Sequence, residues 1–288
     1  MNSTVVRWLA APILIAAGAL AQAAITCTSP VSSGFSTTYA PTQTVANITQ
    51  GTINFNCTRA LAGDPTAVII ASTTGLNPTG TIARAKFGAN FIQYDGYKDS
   101  ACTLLWTNPT IPNSITATLL PIMTSQPVTV SFWGCITLAG QVVPAGTYID
   151  TIQMGVFTTT GTAISPQPTF PVSILNPATC NITSVANVAF GTYVALRSTP
   201  LVSPTANVVM NCTTNLPYSL ALDATTGLIA GVGLNYSLAT SWTAGSQLRG
   251  TGPGQTFTMT GTLPANQAGT CSTGSCSGSD TRTLTVTY

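Results

Sequence analysis

The stretch CNITSVANVAFGTYVALRSTPLVSPTANVVMNC, Cys180 to Cys212, is the second appearance of a pattern first met near the N-terminus. There, CTSPVSSGFSTTYAPTQTVANITQGTINFNC, Cys27 to Cys57, also opens on cysteine, sets a phenylalanine close to a tyrosine, and closes on an alternating strand ending in Asn-Cys. The aromatic pairs are Phe35 with Tyr39 and Phe190 with Tyr193, and the two cysteine spacings differ by only two residues. Shared features in a shared order indicate a tandem duplication.

The later halves agree. Thr129 to Phe157, TVSFWGCITLAGQVVPAGTYIDTIQMGVF, reads as a strand, a loop with Pro and Gly, and a final strand. Thr256 to Tyr288 repeats that order, and its Thr283, Thr285 and Thr287 alternate with Leu284, Val286 and Tyr288, the period of a half-buried strand. No long segment has apolar residues at helical spacing. Strands separated by Gly, Pro, Asn and Thr turns predict an all-β protein of two tandem sandwiches. The boundary is expected in Thr158 to Cys180, where Pro166, Pro168, Pro171 and Pro177 disfavour regular pairing. The expected division is a signal peptide over 1–23, a first module over 24–157, a linker over 158–171 and a second module over 172–288.

Arg7, the apolar run Leu9 to Ala21, and Ala21-Gln22-Ala23 have the layout of a secretory signal cleaved after Ala23. Cys27 lies too far from that cut to carry a lipid anchor. No other apolar run is long enough to cross a bilayer, and the mean hydropathy of +0.37 reflects Ala, Val, Ile and Leu spread among Thr and Ser. Eight cysteines, an even number, suit an oxidising compartment and four disulfides. Zinc is the competing use of cysteine, but there is no CxxC pair and no histidine, so neither metal nor cofactor is expected. Sequence alone does not settle the pairing, yet duplication narrows it to Cys27–Cys57, Cys102–Cys135, Cys180–Cys212 and Cys271–Cys276. Each of the loops of about 30 residues would contribute roughly 3 to 4 kcal/mol.

Only 5% of residues are charged and glutamate is missing, which leaves no basic stripe for nucleic acid and no acidic tail. Catalysis has few candidates without histidine or glutamate. Asp95 and Asp99 invite a glycosidase reading, but they flank Gly96-Tyr97-Lys98 on an expected turn rim with Lys98 as a charge partner. Asp150 in GTYID and Asp280 in GSDTR occupy matching places at the final strand, and their recurrence argues for a structural hydrogen bond over calcium or sugar binding. Tyr94, Tyr97, Trp106 and Trp133 are expected in the core, with Trp133 on the alternating strand TVSFW; stacking on a sugar is the competing reading. No enzymatic function is expected.

At these residues the chain resembles a known family. The opening Cys, FGTY at Phe190 to Tyr193, the Pro-rich approach to a strand ending in Cys, and AGTYIDTIQMGV at Ala145 to Val156 resemble the spore coat protein U domain, the module of archaic, Csu-type chaperone-usher pilus subunits. NFIQYDGYKD, Asn90 to Asp99, followed by Trp106, is similar to the family's central Tyr-rich strands, and GLNYSL, Gly233 to Leu238, is the weaker counterpart in the second module.

The resemblance implies immunoglobulin-like, pilin-type β-sandwiches, the second incomplete and completed by a donor strand. It implies as partners a periplasmic pilus chaperone, an outer-membrane usher, a neighbouring pilin subunit donating its N-terminal strand, and an abiotic or host surface. Strand addition of this kind buries alternate side chains at an open sheet edge. A donor needs about ten residues at roughly 3.3 Å each, whereas the chain after Ala23 offers Ala24, Ile25 and Thr26 before Cys27. The expectation is therefore a two-domain tip adhesin, secreted through the periplasm to the pilus tip, that accepts a strand and gives none, and that serves attachment and biofilm formation. A minor structural pilin or a coat-type structural protein without its own ligand is the alternative.

Tip adhesins of this class carry hydrophobic finger loops, and three stretches are candidates: SSGFST with Phe35, TTGLNPTG with Leu76, and ITATLLPIM with Leu119, Leu120, Pro121, Ile122 and Met123. The last is apolar without clean alternation, and an exposed apolar loop is uncommon unless it binds something. The competing role for Leu119, Leu120 and Ile122 is to plug the end of the sandwich.

Overall fold

The computed structural model describes residues 25–41, 43, 45–106, 113–121, 124–138 and 140–288. The expected signal segment 1–23, and Ile122 and Met123 of the third candidate loop, lie outside them. There is no α-helix among the described residues.

The first module is built from β1 (Thr26–Cys27), β2 (Val31–Ser32), β3 (Phe35–Thr38), β4 (Asn47–Thr58), β5 (Ala67–Ser72), β6 (Ala83–Phe87), β7 (Asn90–Tyr97), β8 (Ile115–Thr118), β9 (Gln126–Ile136), β10 (Gly146–Thr158) and β11 (Thr169–Asn176). They form one strongly curled sheet in the order β1-β4-β9-β7-β6-β10-β11-β3, with β5 and β8 continuing from the far end of β10. Curling brings the two faces together around one core that runs from Ile25 and Cys27 to Ile174. Alternation sets what enters it. Ile53, Phe55 and Cys57 of β4 point inward, as do Tyr148, Ile152, Met154 and Val156 of β10.

The second module comprises β12 (Cys180–Val185), β13 (Leu201–Val202), β14 (Ala206–Cys212), β15 (Pro217–Leu222), β16 (Thr226–Ile229), β17 (Leu234–Thr240), β18 (Leu248–Arg249), β19 (Gly252–Leu263) and β20 (Leu284–Thr287). One sheet runs β12-β14-β19-β17-β16 and the other β18-β15-β20. Its core divides into two clusters, one around Met210, Tyr218 and Trp242, the other around Ile229, Tyr236 and Leu263.

Disulfides join Cys27 to Cys57, Cys102 to Cys135, Cys180 to Cys212 and Cys271 to Cys276. Cys27 faces Cys57 directly across β1 and β4, and Cys180 faces Cys212 across β12 and β14. The same covalent clasp therefore closes the same strand pair in each module.

The boundary differs from the sequence expectation of a linker over 158–171 and a second module from 172. Residues 158–168 form the turn of a hairpin within the first module, and β11 pairs along Gly146–Gln153 of β10 and, in parallel, with β3. Phe170, Val172, Ile174 and Asn176 alternate inward with a period of two, and that pattern outweighs the prolines. Pro171 is tolerated because the parallel ladder with β3 begins only at Val172, opposite Phe35. The crossing between modules is the short Pro177–Thr179 segment. It is held by Asn176 Nδ2, which donates to the carbonyls of Val143 and Pro144, and by Thr213 Oγ1, which donates to Pro177 O.

Candidate functional site

The duplication extends to individual hydrogen bonds. In the first module the Tyr94 hydroxyl on β7 donates to Asp150 Oδ2 on β10 at 2.9 Å, and in the second Tyr236 on β17 donates to Asp280 Oδ2 at 2.8 Å. Phe35 packs on Tyr94 with ring centroids 5.7 Å apart, and Phe190 packs on Tyr236 at 6.1 Å. Gln141 clasps the backbone of Gln93 from both sides while its own N–H donates to Tyr39 Oη; Gln267 does the same to Asn235 and Tyr193. Even the space is matched. A Cβ on Gly134 would lie 2.1 Å from the Phe35 ring, and one on Gly261 would lie 2.5 Å from the Phe190 ring. Asp150 and Asp280 thus make structural hydrogen bonds, Oδ2 accepting from a distant tyrosine hydroxyl in each module while Oδ1 accepts from a backbone amide, that of Leu76 for Asp150 and that of the adjacent Thr281 for Asp280.

These anchors align the final strands. Ile149 pairs with Lys86 as Ser279 pairs with Ala230, and the end of β10 runs along β5 as β20 runs along β15. The modules part at one place. In the first, β11 lies between β10 and β3 and sends Phe170, Val172 and Ile174 into the core. In the second, no described strand lies between the matching segments, 276–283 and 190–193. Residues 276–283 are largely exposed, Phe190 and Tyr193 are half-buried where Phe35 and Tyr39 are sealed, and Val194 and Leu196 face solvent. The two segments thus leave between them a partly exposed apolar surface with no described strand over it, the kind of feature at which an extended segment can add.

Electrostatics follow the same division. Burial, reinforced by the neighbouring Asp150 carboxylate, pushes the Tyr94 hydroxyl far above the usual phenol range. Tyr236 is raised by burial and by its bond to Asp280, while Arg282 pulls in the opposite direction. Arg282 pairs with Asp280 at 2.6 Å.

A second feature lies at the end of the first module farthest from the crossing. Arg59 is fully buried beyond β4, where its guanidinium ties two loops together: Nη1 donates to Leu120 O at 3.3 Å, and Nη2 donates to Ala62 O and to Asp64 O. Asp64 Oδ2 accepts from the amides of Ala60 and Leu61, and Gln126 Oε1 accepts from Leu120 N. The bonded polar frame stays inside, and Leu61 at 50% and Leu120 at 60% exposure stand out from it with Pro121.

A model of the Spore Coat Protein U domain matches residues 13–155 and 167–233. The chain belongs to this family. Among solved structures it is similar to the CsuC-CsuE chaperone-tip adhesion subunit pre-assembly complex from archaic chaperone-usher Csu pili of Acinetobacter baumannii, at 11% identity and a TM-score of 0.40 over 91% of this chain and 100% of that one. It is also similar to the CupB6 tip adhesin from Pseudomonas aeruginosa, at 9% identity and a TM-score of 0.32 over 92% of this chain and 94% of that one. No curated protein sequence matches.

In this Spore Coat Protein U family member the candidate finger residues separate. Phe35 is 2% exposed between β11 and Tyr94, and Leu119 is 1% exposed in the core, so neither offers surface: Phe35 belongs to a paired strand, and Leu119 turns inward just after β8. Leu76 is 73% exposed on a loop pinned by its own amide to Asp150 and by Arg84 Nε to Asn77 O. That loop is not beside Leu120, because it packs on the middle of β10 and the Arg59-braced loops lie beyond β4 and β8. Tyr94 and Trp106 are core residues, whereas Trp133 is half-buried on the outer face across from Tyr97, and Phe132 is the inward neighbour. Asp99 caps its own turn by accepting from Thr103 and Leu104 amides, and the bond from Leu104 chiefly holds its carboxyl below the usual range. Asp95 accepts from the Ala83 amide. Leu61 and Arg59 escaped the sequence reading. A lone arginine followed four and five residues later by Gly-Asp was the available signal.

Proposed function

We propose that this protein is the tip adhesin subunit of an archaic chaperone-usher pilus. The second module accepts a strand, first from a periplasmic chaperone and then, at the outer-membrane usher, from the N-terminal segment of a neighbouring subunit. The first module is complete in itself and binds an abiotic or host surface, which serves attachment and biofilm formation. The role is adhesive and not enzymatic.

One observation carries this reading: β11 fills in the first module the slot that the second leaves open. A duplicated fold completed in one half and open in the other divides the labour between binding and assembly. The terminal position rests on the expected cleavage after Ala23, since Ile25 is buried and Thr26 and Cys27 already pair with β4 in their own module. Binding rests on the exposed Leu61, Leu120 and Pro121 held on a rigid frame. Apolar transfer of a leucine is worth roughly 1.5 to 3 kcal/mol on full burial and needs no shaped pocket.

Immunogold electron microscopy with antibody against residues 24–157 should label fibre ends only; label along shafts would replace this reading with a minor structural pilin. A Leu61→Ser, Leu120→Ser double variant should leave fibres and fold intact while lowering attachment to plastic several-fold. Unchanged attachment would remove the braced loops as the binding surface.

A further inference from the structure

The open slot is not a copy of the filled one. In the first module Ile152 of β10 lies opposite Phe170 of β11, and Tyr148 lies opposite Ile174, all four buried. The alignment through Asp150 and Asp280 places Arg282 where Ile152 stands and Gly278 where Tyr148 stands. Arg282 is on the inward side of the chain, because it alternates with Leu284 and Val286, which pack on the core. Its Nε donates to Tyr236 Oη at 2.6 Å, and its Nη2 donates to Asp280 Oδ2 at 2.6 Å and to Thr226 O at 2.9 Å. The guanidinium also sits 5.5 Å from the centre of the Tyr236 ring.

We propose that Arg282 selects the strand the second module accepts. The partner is an extended segment with large apolar side chains at the positions matching Val172 and Ile174 and a short neutral hydrogen-bonding side chain, such as Asn, Ser or Thr, at the position matching Phe170. This inference rests on the reading of the second module as a strand acceptor. An aromatic side chain at that position would cover the remaining donor, Nη1, without offering it an acceptor, and a buried donor left without a partner is costly. The three bonds above use Nε and Nη2, so Nη1 is left to meet an oxygen of the incoming strand. A Cβ on Gly278 would lie 2.2 Å from Ala230 O and 2.9 Å from the Ile229 side chain, so glycine lets that segment press against Ala230 where the first module carries Tyr148, and the position matching Ile174 meets backbone and aliphatic groups. The chain's own β11, with Phe170 opposite Arg282, is the wrong strand for its own slot. That mismatch keeps one copy from being completed by the β11 of another.

Two labelled peptides test this against the full secreted chain by fluorescence anisotropy: QPTFPVSILNPA, residues 167–178, and the same peptide carrying Phe170→Asn. The Asn peptide should bind at least fivefold more tightly. Arg282→Ile, which restores the residue of the first module, should invert the order, and Arg282→Lys should preserve it, an inversion that a general folding defect does not produce. Equal binding of the two peptides, or an order unchanged by Arg282→Ile, overturns the selection by Arg282 while leaving the acceptor slot standing. Failure of both peptides to bind any of the three proteins overturns the acceptor reading and this inference with it.

Discussion

The first module seals a network of Phe35, Tyr39, Tyr94, Gln141 and Asp150 beneath β11; the second builds the same network from Phe190, Tyr193, Tyr236, Gln267 and Asp280 and leaves it half covered. The hydrogen bonds survive without the covering strand, so they are set by the residues that make them and by the cross-strand register. Burial does not survive. The difference teaches that the polar network specifies the sandwich, while the last strand supplies continuity of the apolar core, which is single in the first module and divided in the second. Buried networks that are fully satisfied commonly specify one arrangement in this way.

The comparison can be broken most forcefully at β11. Ile174→Asp places a carboxylate in a fully buried position and removes an aliphatic side chain, a loss expected to exceed about 4 kcal/mol. Calorimetry should show the first module's transition lost and the second's retained; loss of both together would mean that the Pro177–Thr179 junction makes one cooperative unit of the two. The tyrosine pair gives a smaller contrast. Tyr94→Phe removes a bond to the buried Asp150 and should cost about 1 to 3 kcal/mol. Tyr236→Phe should shift unfolding far less, because Asp280 is exposed and keeps Arg282. Equal shifts would show that β11 does not seal the first network.

The mildest contrast is in alkali. Burial raises the hydroxyls of Tyr39, Tyr94, Tyr97 and Tyr148 in the first module, Tyr148 to about 12, and those of Tyr218 and Tyr236 in the second. A tyrosine whose folded pKa is raised holds its proton more tightly when folded, so its stabilisation is complete below the unfolded value near 10 and is lost as pH rises above it. Near-ultraviolet circular dichroism between pH 9 and about pH 12 should therefore show the first module loosening with the steeper dependence, and Tyr94→Phe should flatten it. A steeper loss in the second module would contradict the burial argument.

Much of this was legible in the residues. The duplicated Cys–Phe–Tyr pattern and the alternation of Leu284, Val286 and Tyr288 announced two β modules, because strand period and turn residues are local properties. The matched positions of Asp150 and Asp280 announced a shared structural bond, though not its tyrosine partner, which lies more than forty residues away in each module. The prolines of residues 158–171 misdirected the boundary: proline disfavours pairing locally, and nothing local reveals that β3 and β10 flank a slot one strand wide. Phe35 and Leu119 looked like finger residues for the same reason, since an apolar residue in a Ser- or Pro-rich stretch reads alike whether it faces water or the core.

By itself the sequence determined the fold class, the repeat and the family, all of which depend on which side chains alternate and recur. Tertiary structure alone decided that β11 belongs to the first module, that no described strand takes the matching place in the second, beside Arg282, and that Arg59 presents Leu61 and Leu120. Those outcomes depend on which distant segments come to lie side by side, and burial is a property of that arrangement and not of any residue within it.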